Sequence, residues 1–564
     1  MNNRIKILRK KFIKYEIDGY IVPKNDEYFT EYSKINRLET ISNFTGSAGL
    51  AVILKNKNYL FTDGRYTIQS QIECGKNFKI VDSQKLINCN LFKNITLGID
   101  PKLSTYNHLS KFFLKNNKIK FIEKNLIDEI KSKKVIKDFP FFSLAKNIVG
   151  ENHNSKINKI SKYLKKSKCD YLFVSAPENV AWILNIRGTD NPNSPIPNAR
   201  LIINKNKKIY FISNFQKVKK IIKEKRIKLK ELINIKYFSQ NISQLKGANF
   251  IIDDKSCSIY FENIIKSNFK IIKREDPTYL LKSIKNKIEI KNMIKAHILD
   301  GAALTKFIYW IKYVNKKKIN EVKAQNKLES FRKLNKDYLY PSFETIAGAG
   351  KNGAIVHYRA KKENCKTINK SDIFLCDSGG QYKYGTTDVT RTICFLKPEK
   401  KIKNIFTKVL KGHIAVATTN LNKDNTGKKI DVRARKFLKL SGLDYAHGTG
   451  HGVGFFLNVH EGPQSISKFN KVKIKEGMIL SNEPGYYKKN KFGIRIENLL
   501  YVIKNKKNIL FENLTLAPIE KDLINKKLLT LPEKKYLFKY HLQVYSKISK
   551  YLTLQERKWL ASYI

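Results

Sequence analysis

No two of the seven cysteines in this 564-residue chain are spaced as CxxC, and those at 74, 89, 169, 257, 365, 376 and 394 are odd in number and far apart. Such a set argues against a disulfide framework and fits thiols in a reducing compartment. No apolar run approaches the roughly 18 residues that a membrane span needs. The first twenty residues, MNNRIKILRKKFIKYEIDGY, are basic but hold no apolar core of signal-peptide length. A cytoplasmic protein without a membrane partner is expected. Arginine is scarce, 15 residues against 95 lysines, and the 48 acidic residues leave a formal charge of +62. A basic surface attracts polyanions, yet phosphate and base recognition favour arginine for its planar fork. The lysines are scattered with Ile and Asn over the whole length, so the charge reads as a bias of solvated faces. No specific nucleic-acid partner is expected.

Apolar residues make up 42% of the chain and aromatics 11%, enough for a globular protein; the length suggests about three or four domains. The first part alternates strands and helices. DGYIVP (18–23) is a buried-type strand, and LAVIL (50–54) and YLFTDGRY (59–66) form a hairpin through the polar turn 55–58. The pattern recurs: DYLFVSAPENVAWILNIRG (170–188) leads to RLIIN (200–204) and IYFIS (209–213). Ile41–Gly46 aligns with Ile183–Gly188, which points to internal duplication of one α/β domain, with the lysine-rich stretch 123–157 joining the copies. Past Asp276 and Pro277 the spacing becomes helical, over 288–314 and again over 319–335. Strands return at 343–348, 373–377, 386–395, 477–483 and 492–503, with helices near 399–421 and 429–440. The last residues, from Thr515, read as a helical appendix.

The second half carries the chemistry. Asp377 follows four apolar residues at a strand end, and Asp388 lies just inside the next strand, the natural reach of a hairpin partner. A carboxylate there is costly to desolvate unless a cation or donor meets it. His451 lies in HGTGHGVG (447–454), where four glycines argue against a helix, so only one of His447 and His451 is assigned to metal. Glu483 ends a strand before Pro484. Glu497 is read as interior to a strand and turned to the core with the aspartates. A salt bridge from Arg495 to Glu497 is not expected, the two being read as facing opposite ways. Four carboxylates and one imidazole suffice to hold two metal ions, between which a water is acidic enough to attack a peptide carbonyl near neutral pH. His357 and His460 are candidates for stabilising a tetrahedral oxyanion and passing a proton to the leaving amine; His413 reads as structural.

The set IVHY (355–358), LCDSGGQY with TTDVTRT (375–392), HGTGHGVG with VHEGP (447–463), NEPGYY (482–487) and GIRIEN (493–498) resembles the pita-bread metallopeptidases. Within them the chain is most similar to the cytosolic, three-domain Xaa-Pro aminopeptidases, with NFTGSAGLAVI, FTDGRY, VAWILNIRG, LTLAPIEKDLI and ERKWL carrying the likeness over nearly the whole length. The resemblance implies a mixed α/β and α+β chain: two creatinase-like α/β domains (1–130 and 150–280), a pita-bread catalytic domain (285–505) and a helical C-terminal extension (506–564). It implies that Asp377 chelates one ion, that Asp388 and Glu497 bridge both, and that His451 and Glu483 complete the second, with Mn2+ as the metal. Glu483 would be the base for a bridging hydroxide, His357 and His460 would contact substrate at the scissile carbonyl, and His447 would line the proline side. Arg65, in FTDGRY, matches a substrate-contacting arginine. The function implied is removal of the N-terminal residue from peptides with proline second, by a homodimer. The alternatives are a prolidase or creatinase-type hydrolase on the same fold, and a non-catalytic pita-bread binding module.

Overall fold

The computed structural model describes all residues except Asn88, 131–138 and Lys316, and the chain divides into two units, Met1–Tyr279 and Leu280–Ile564.

The first unit contains the duplication. Strands β1 (Gly19–Pro23), β2 (Leu50–Leu54), β3 (Asn58–Thr62), β4 (Lys79–Asp82), β5 (Thr96–Ile99) and β6 (Lys118–Phe121) form a sheet in the order β4-β3-β2-β1-β5-β6. Strands β7 (Tyr171–Val174), β8 (Arg200–Asn204), β9 (Ile209–Ile212), β10 (Leu232–Ile233), β11 (Asn249–Ile252) and β12 (Lys270–Lys273) repeat it as β10-β9-β8-β7-β11-β12. The match extends to direction: the hairpins β1–β2–β3 and β7–β8–β9 are antiparallel, and every other pairing is parallel. The aligned hexapeptides mark the same turn in each copy. Helix α1 (Arg37–Ser42) ends on Asn43 at φ 63°, and α2 (Pro177–Leu184) on Asn185 at φ 51°, the left-handed cap that Asn tolerates. The lysine-rich connection is shorter than the sequence reading drew it. Leu126 and Ile127 belong to the first core, while Phe142–Ser143 pairs with Ile186–Arg187 and Phe141 packs on Phe211 in the second.

Two helix-backed sheets make up most of the second unit. Helix α3 (Lys287–Tyr309), capped by Asn286 and Glu289, and α4 (Glu321–Lys333) cover the sheet β13 (Ile346–Ala349), β14 (Ile373–Ser378) and β15 (Val389–Cys394). Leu304, Phe307, Ile308 and Leu328 meet Ala347, Phe374, Cys376 and Ile393 in one core. Helix α5 (Lys400–Ala417) and α6 (Gly427–Lys439) cover the larger sheet. That sheet has the order β17-β16-β18-β21-β22, from β16 (Gly450–Gly452), β17 (Glu461–Ile466), β18 (Ile479–Asn482), β21 (Asn498–Asn505) and β22 (Asn508–Asn513). Between β18 and β21 lies the hairpin β19 (Gly485–Lys488) and β20 (Phe492–Arg495). Val416, Ile430 and Ala434 pack there on Ile466, Leu480, Leu500 and Val502. The sequence reading treated 492–503 as one strand; the chain in fact leaves one sheet and joins another at Ile496–Glu497. Its backbone groups there are diverted from a ladder: the Glu497 N–H donates to the Thr390 carbonyl at 3.2 Å, and the Arg391 guanidinium donates to the Glu497 carbonyl at 2.7 Å.

The C-terminal extension, with helices α7 (Leu531–Ile548) and α8 (Leu554–Ala561), packs on this unit through Leu537, Tyr540, Val544 and Ile548. All seven cysteines are free thiols. Among the described residues no helix is long and apolar enough to cross a membrane.

In α7 the imidazole of His541 is buried, and its Nε2 accepts from the Ile519 N–H at 3.2 Å. Burial, with Arg391 and Lys521 nearby, pulls it down to about 3 from an ordinary 6.5. Between those values the unfolded chain takes up a proton that the fold refuses, so stability is lost as pH falls below 6.5, by roughly 2 kcal/mol at pH 5. His541→Gln keeps an acceptor near Nε2 without the proton affinity. Urea midpoints followed by tryptophan fluorescence should fall less between pH 6.5 and 5 in this variant, with little difference at pH 7.5. Parallel pH profiles would contradict the assignment.

Candidate metal centre

Asp377 stands one residue from the end of β14, and Asp388 directly precedes β15 rather than lying within it. The two strands are antiparallel, with Asp377 opposite Thr390, so the hairpin brings both carboxylates to one end. His451 is the middle residue of β16, Glu483 follows β18, and Glu497 sits where the chain changes sheets. The glycine at 450 is needed because a Cβ there would come within 1.9 Å of the Ser481 carbonyl. That close approach sets His451 over Ser481, whose hydroxyl accepts the His451 N–H at 2.9 Å and donates to Glu483 Oε1 at 3.1 Å.

These groups converge. His451 Nδ1 lies 2.8 Å from the Gly452 carbonyl, so the ring donates there and turns Nε2 toward carboxylates. Nε2 is 3.5 Å from Asp388 Oδ2 and 3.6 Å from Glu483 Oε1. Ligand atoms of Asp388, His451 and Glu497 all lie within 4.8 Å of one another, and Thr390 donates to Glu497 Oε2 at 2.7 Å. Asp377 receives Arg495 Nη2 on one oxygen at 2.5 Å, while its other oxygen, Oδ1, is buried without a hydrogen-bond partner.

The electrostatics are those of a site short of positive charge. Burial, aided by Asp388 and Glu483 against the pull of Arg495, pushes Asp377 up to about 6. Burial and the other three carboxylates raise Glu497 well above the usual range. Burial alone would keep His451 neutral, yet Asp388 and Glu483 bring it up to about 9. Protons thus gather on groups that a divalent cation satisfies without them. An orphaned buried carboxylate oxygen, three further carboxylates and an imidazole with its tautomer fixed form an oxygen-rich donor set that fits divalent ions such as manganese.

Of the remaining candidates, His447 and His460 stand beside this cluster. The His460 ring stands edge-on to His451, with centroids 4.3 Å apart. His447 donates from Nδ1 to the Gly448 carbonyl, leaving Nε2 to accept from Tyr487 at 2.8 Å. His357 is half-buried, next to Val356, whose carbonyl lies 3.4 Å from Arg495 Nη2. His413 is structural: its Nδ1 meets the Asn482 carbonyl at 3.1 Å, and Asn482 Nδ2 returns a bond to the His413 carbonyl at 2.9 Å, fixing the residue before Glu483. Arg65 belongs to the first unit, where Asp63 holds it with two bonds of 2.9 and 2.8 Å.

Sequence reasoning missed Arg495. It does not face away from Glu497 but points into the cluster, where it pairs with Asp377 and donates to Tyr487 at 2.6 Å. The signal was available, since residues two apart on an extended chain share a face. Tyr487 and Arg391 carried no local signal: one bridges His447 to Arg495, and the other works from a different strand.

The chain is similar to known proteins over nearly its whole length. Residues 291–504 match the model of metallopeptidase family M24 and residues 508–563 that of the C-terminal region of peptidase M24. Residues 4–129 and 132–289 each match a creatinase/prolidase N-terminal domain. The chain is 36% identical to a probable Xaa-Pro aminopeptidase P of Laccaria bicolor over 99% of this chain and 92% of that protein. It is also 36% identical to Xaa-Pro aminopeptidase 1 of Dictyostelium discoideum, over 97% and 93%. Among solved structures, an X-prolyl aminopeptidase of Caenorhabditis elegans, described as a cytosolic enzyme with a di-nuclear active site, superposes with a TM-score of 0.92 at 28% identity. It covers 100% of this chain and 99% of its own. A prolidase from Pyrococcus furiosus covers 63% of this chain and 98% of its own, with a TM-score of 0.51 and 27% identity.

If repulsion among buried carboxylates dominates the cluster, adding Mn2+ to chelator-stripped protein should raise Tm by roughly 5 °C or more. Stripped Glu497→Gln should melt no lower than the stripped parent, since an amide relieves the repulsion, and should lose most of the response to Mn2+. A stripped variant that melts well below the parent would show that Glu497 is held by something other than cations.

Proposed function

The chain belongs to metallopeptidase family M24, and from that premise we propose that it is an Xaa-Pro aminopeptidase, removing the first residue of peptides whose second residue is proline. The observation that carries the reading is the convergence of Asp377, Asp388, His451, Glu483 and Glu497, from separate stretches of chain, on one buried acidic site. Asp377, Asp388, His451, Glu483 and Glu497 would hold the ions. Two divalent ions, with manganese as the assigned metal, would supply Lewis acidity and a water acidic enough to attack a peptide carbonyl near neutral pH.

The protein's own groups do the rest. Burial works against the charge of Glu483, but His451, His447, Arg495 and His460 hold it below the ordinary carboxylate value. Glu483 is therefore an ionised base, ready to take the proton that the attacking water gives up. His460 and His357 serve as donors to the oxyanion of the tetrahedral intermediate and as proton carriers to the leaving nitrogen. His447, its Nε2 occupied by Tyr487, presents a neutral ring edge to the proline side. A peptide with proline second has a tertiary amide at the scissile bond and no N–H to donate. An enzyme must hold such a substrate by ring shape and protonate the leaving imino nitrogen. Arg65 is assigned to substrate on the strength of its motif.

A cytoplasmic location and a homodimer are part of the same reading. Seven free thiols and the cytosolic relative support the first. For the second, Val432 on α6 and Leu440 just past its end, 64% and 76% exposed, leave apolar surface on the second unit. The prolidase alternative is not favoured, because the prolidase relative leaves over a third of this chain unmatched.

Metal-stripped protein given Mn2+ should hydrolyse a peptide beginning Arg-Pro-Pro and release free arginine. In a series of Xaa-Pro peptides of increasing length it should cleave tripeptides and longer substrates. Cleavage confined to dipeptides would support a prolidase instead, and no cleavage with ions bound would support a non-catalytic module.

A further inference from the structure

The glycine-laced turn 445–451 has little means of fixing its own path, and α6 supplies one. Arg435 is 7% exposed and Asp431 1%. Every nitrogen of the Arg435 side chain is used. Nε donates to Asp431 Oδ2 at 2.8 Å, Nη1 to Asp444 Oδ1 at 2.7 Å and to the Tyr445 carbonyl at 2.8 Å, and Nη2 to the His447 carbonyl at 2.6 Å. The guanidinium also lies 3.9 Å from the centroid of the Tyr445 ring, which in turn packs on the His447 ring at 4.9 Å. The other oxygen of Asp431 accepts from the Thr449 hydroxyl at 2.6 Å, and Tyr445 OH lies 2.5 Å from that hydroxyl. The Thr449 carbonyl accepts the N–H of Glu483 at 2.8 Å.

Helix α6 is itself firmly seated. A Cβ at Gly412 of α5 would fall 2.2 Å from the Ala434 carbonyl, so the two helices touch backbone to backbone. One turn of α5 also holds Asn482, beside Glu483, through His413. A rigid helix pair therefore grips both the turn that carries His447 and the segment that carries Glu483.

We propose that Arg435 and Asp431 are positioning residues, which set the backbone path of 445–449 so that His447 meets the proline ring of the substrate. The inference rests on the aminopeptidase reading and deepens it, by naming what outside the centre fixes its preference for proline. Lysine cannot replace the planar fork that grips four acceptors at once.

The test uses the full-length, Mn2+-loaded protein with Arg435→Ala, Asp431→Asn, His447→Phe and the Arg435→Ala/His447→Phe double variant. Two readouts are taken: peptide-level hydrogen exchange over 445–451, and kcat/KM on Arg-Pro-Pro and Arg-Ala-Pro peptides. Arg435→Ala should speed exchange in this segment about tenfold while retaining two ions per chain. It should lower kcat/KM on the proline peptide roughly 10- to 100-fold, with a smaller loss on the alanine peptide. In the His447→Phe background it should add little, because groups that act through one another are not additive. Methylguanidinium should restore part of the Arg435→Ala activity. Unchanged exchange, equal losses on both peptides, or a full additional loss in the double variant would overturn the proposal. A parent protein that cleaves neither peptide while exchange still responds would instead overturn the aminopeptidase reading beneath it, so the two failures are visible separately.

Discussion

Four carboxylates, three buried and the fourth, Glu483, half-buried, gathered from the ends of two sheets constitute the constraint that the second unit is built to meet. Burying one ionised carboxylate is costly, and burying four side by side adds their mutual repulsion. Protons relieve part of this, as the raised Asp377 and Glu497 indicate. Divalent cations relieve it and add chemistry. The four carboxylates therefore come from turns and strand ends, where the backbone can bring side chains together without interrupting a ladder, while His451 comes from the middle of the short β16. The break between β20 and β21, which frees Glu497 from its expected strand, is a consequence of the same demand.

Holding those ligands falls largely to arginine, the residue that the chain uses least among its cations. Seven of the fifteen arginines are buried, and three of them surround the centre. Arg495 pairs with Asp377, Arg391 binds the carbonyls of Glu497, Ala517 and Pro518, and Arg435 binds the turn before His451. A planar fork with five donors can satisfy several fixed carbonyls at once, which a lysine ammonium does less well. Lysine carries most of the net charge, while close to half of the arginines work in the interior. Arg391 also ties the C-terminal extension to the centre: it reaches Tyr540 in α7 at 2.9 Å as well as Glu497.

Much of this was legible in the sequence, for reasons that differ by residue. The duplication showed in the matching hexapeptides because an Asn-capped helix and a following hairpin leave a local signature. The candidate ligands Asp377 and Glu483 were conspicuous because each is a charge that ends an apolar run. What could not be read depends on distant pairing. That Arg391 reaches carbonyls more than a hundred residues away, that Tyr487 joins His447 to Arg495, and that α6 grips the 445–449 turn all follow from packing between elements. Arg495 is a different case: the period of two along a strand placed it beside Glu497, and the reading of opposite faces was mistaken. The expected continuity of 492–503 failed because apolar alternation does not reveal that a chain changes sheets.

Anomalous diffraction from crystals soaked in Mn2+ addresses the central claim most directly. Two peaks are predicted, both touching Asp388 and Glu497, with Asp377 on one and His451 and Glu483 on the other. Peaks that lie elsewhere, or a single ion that leaves Asp377 or Glu483 unbound at saturating Mn2+, would contradict it.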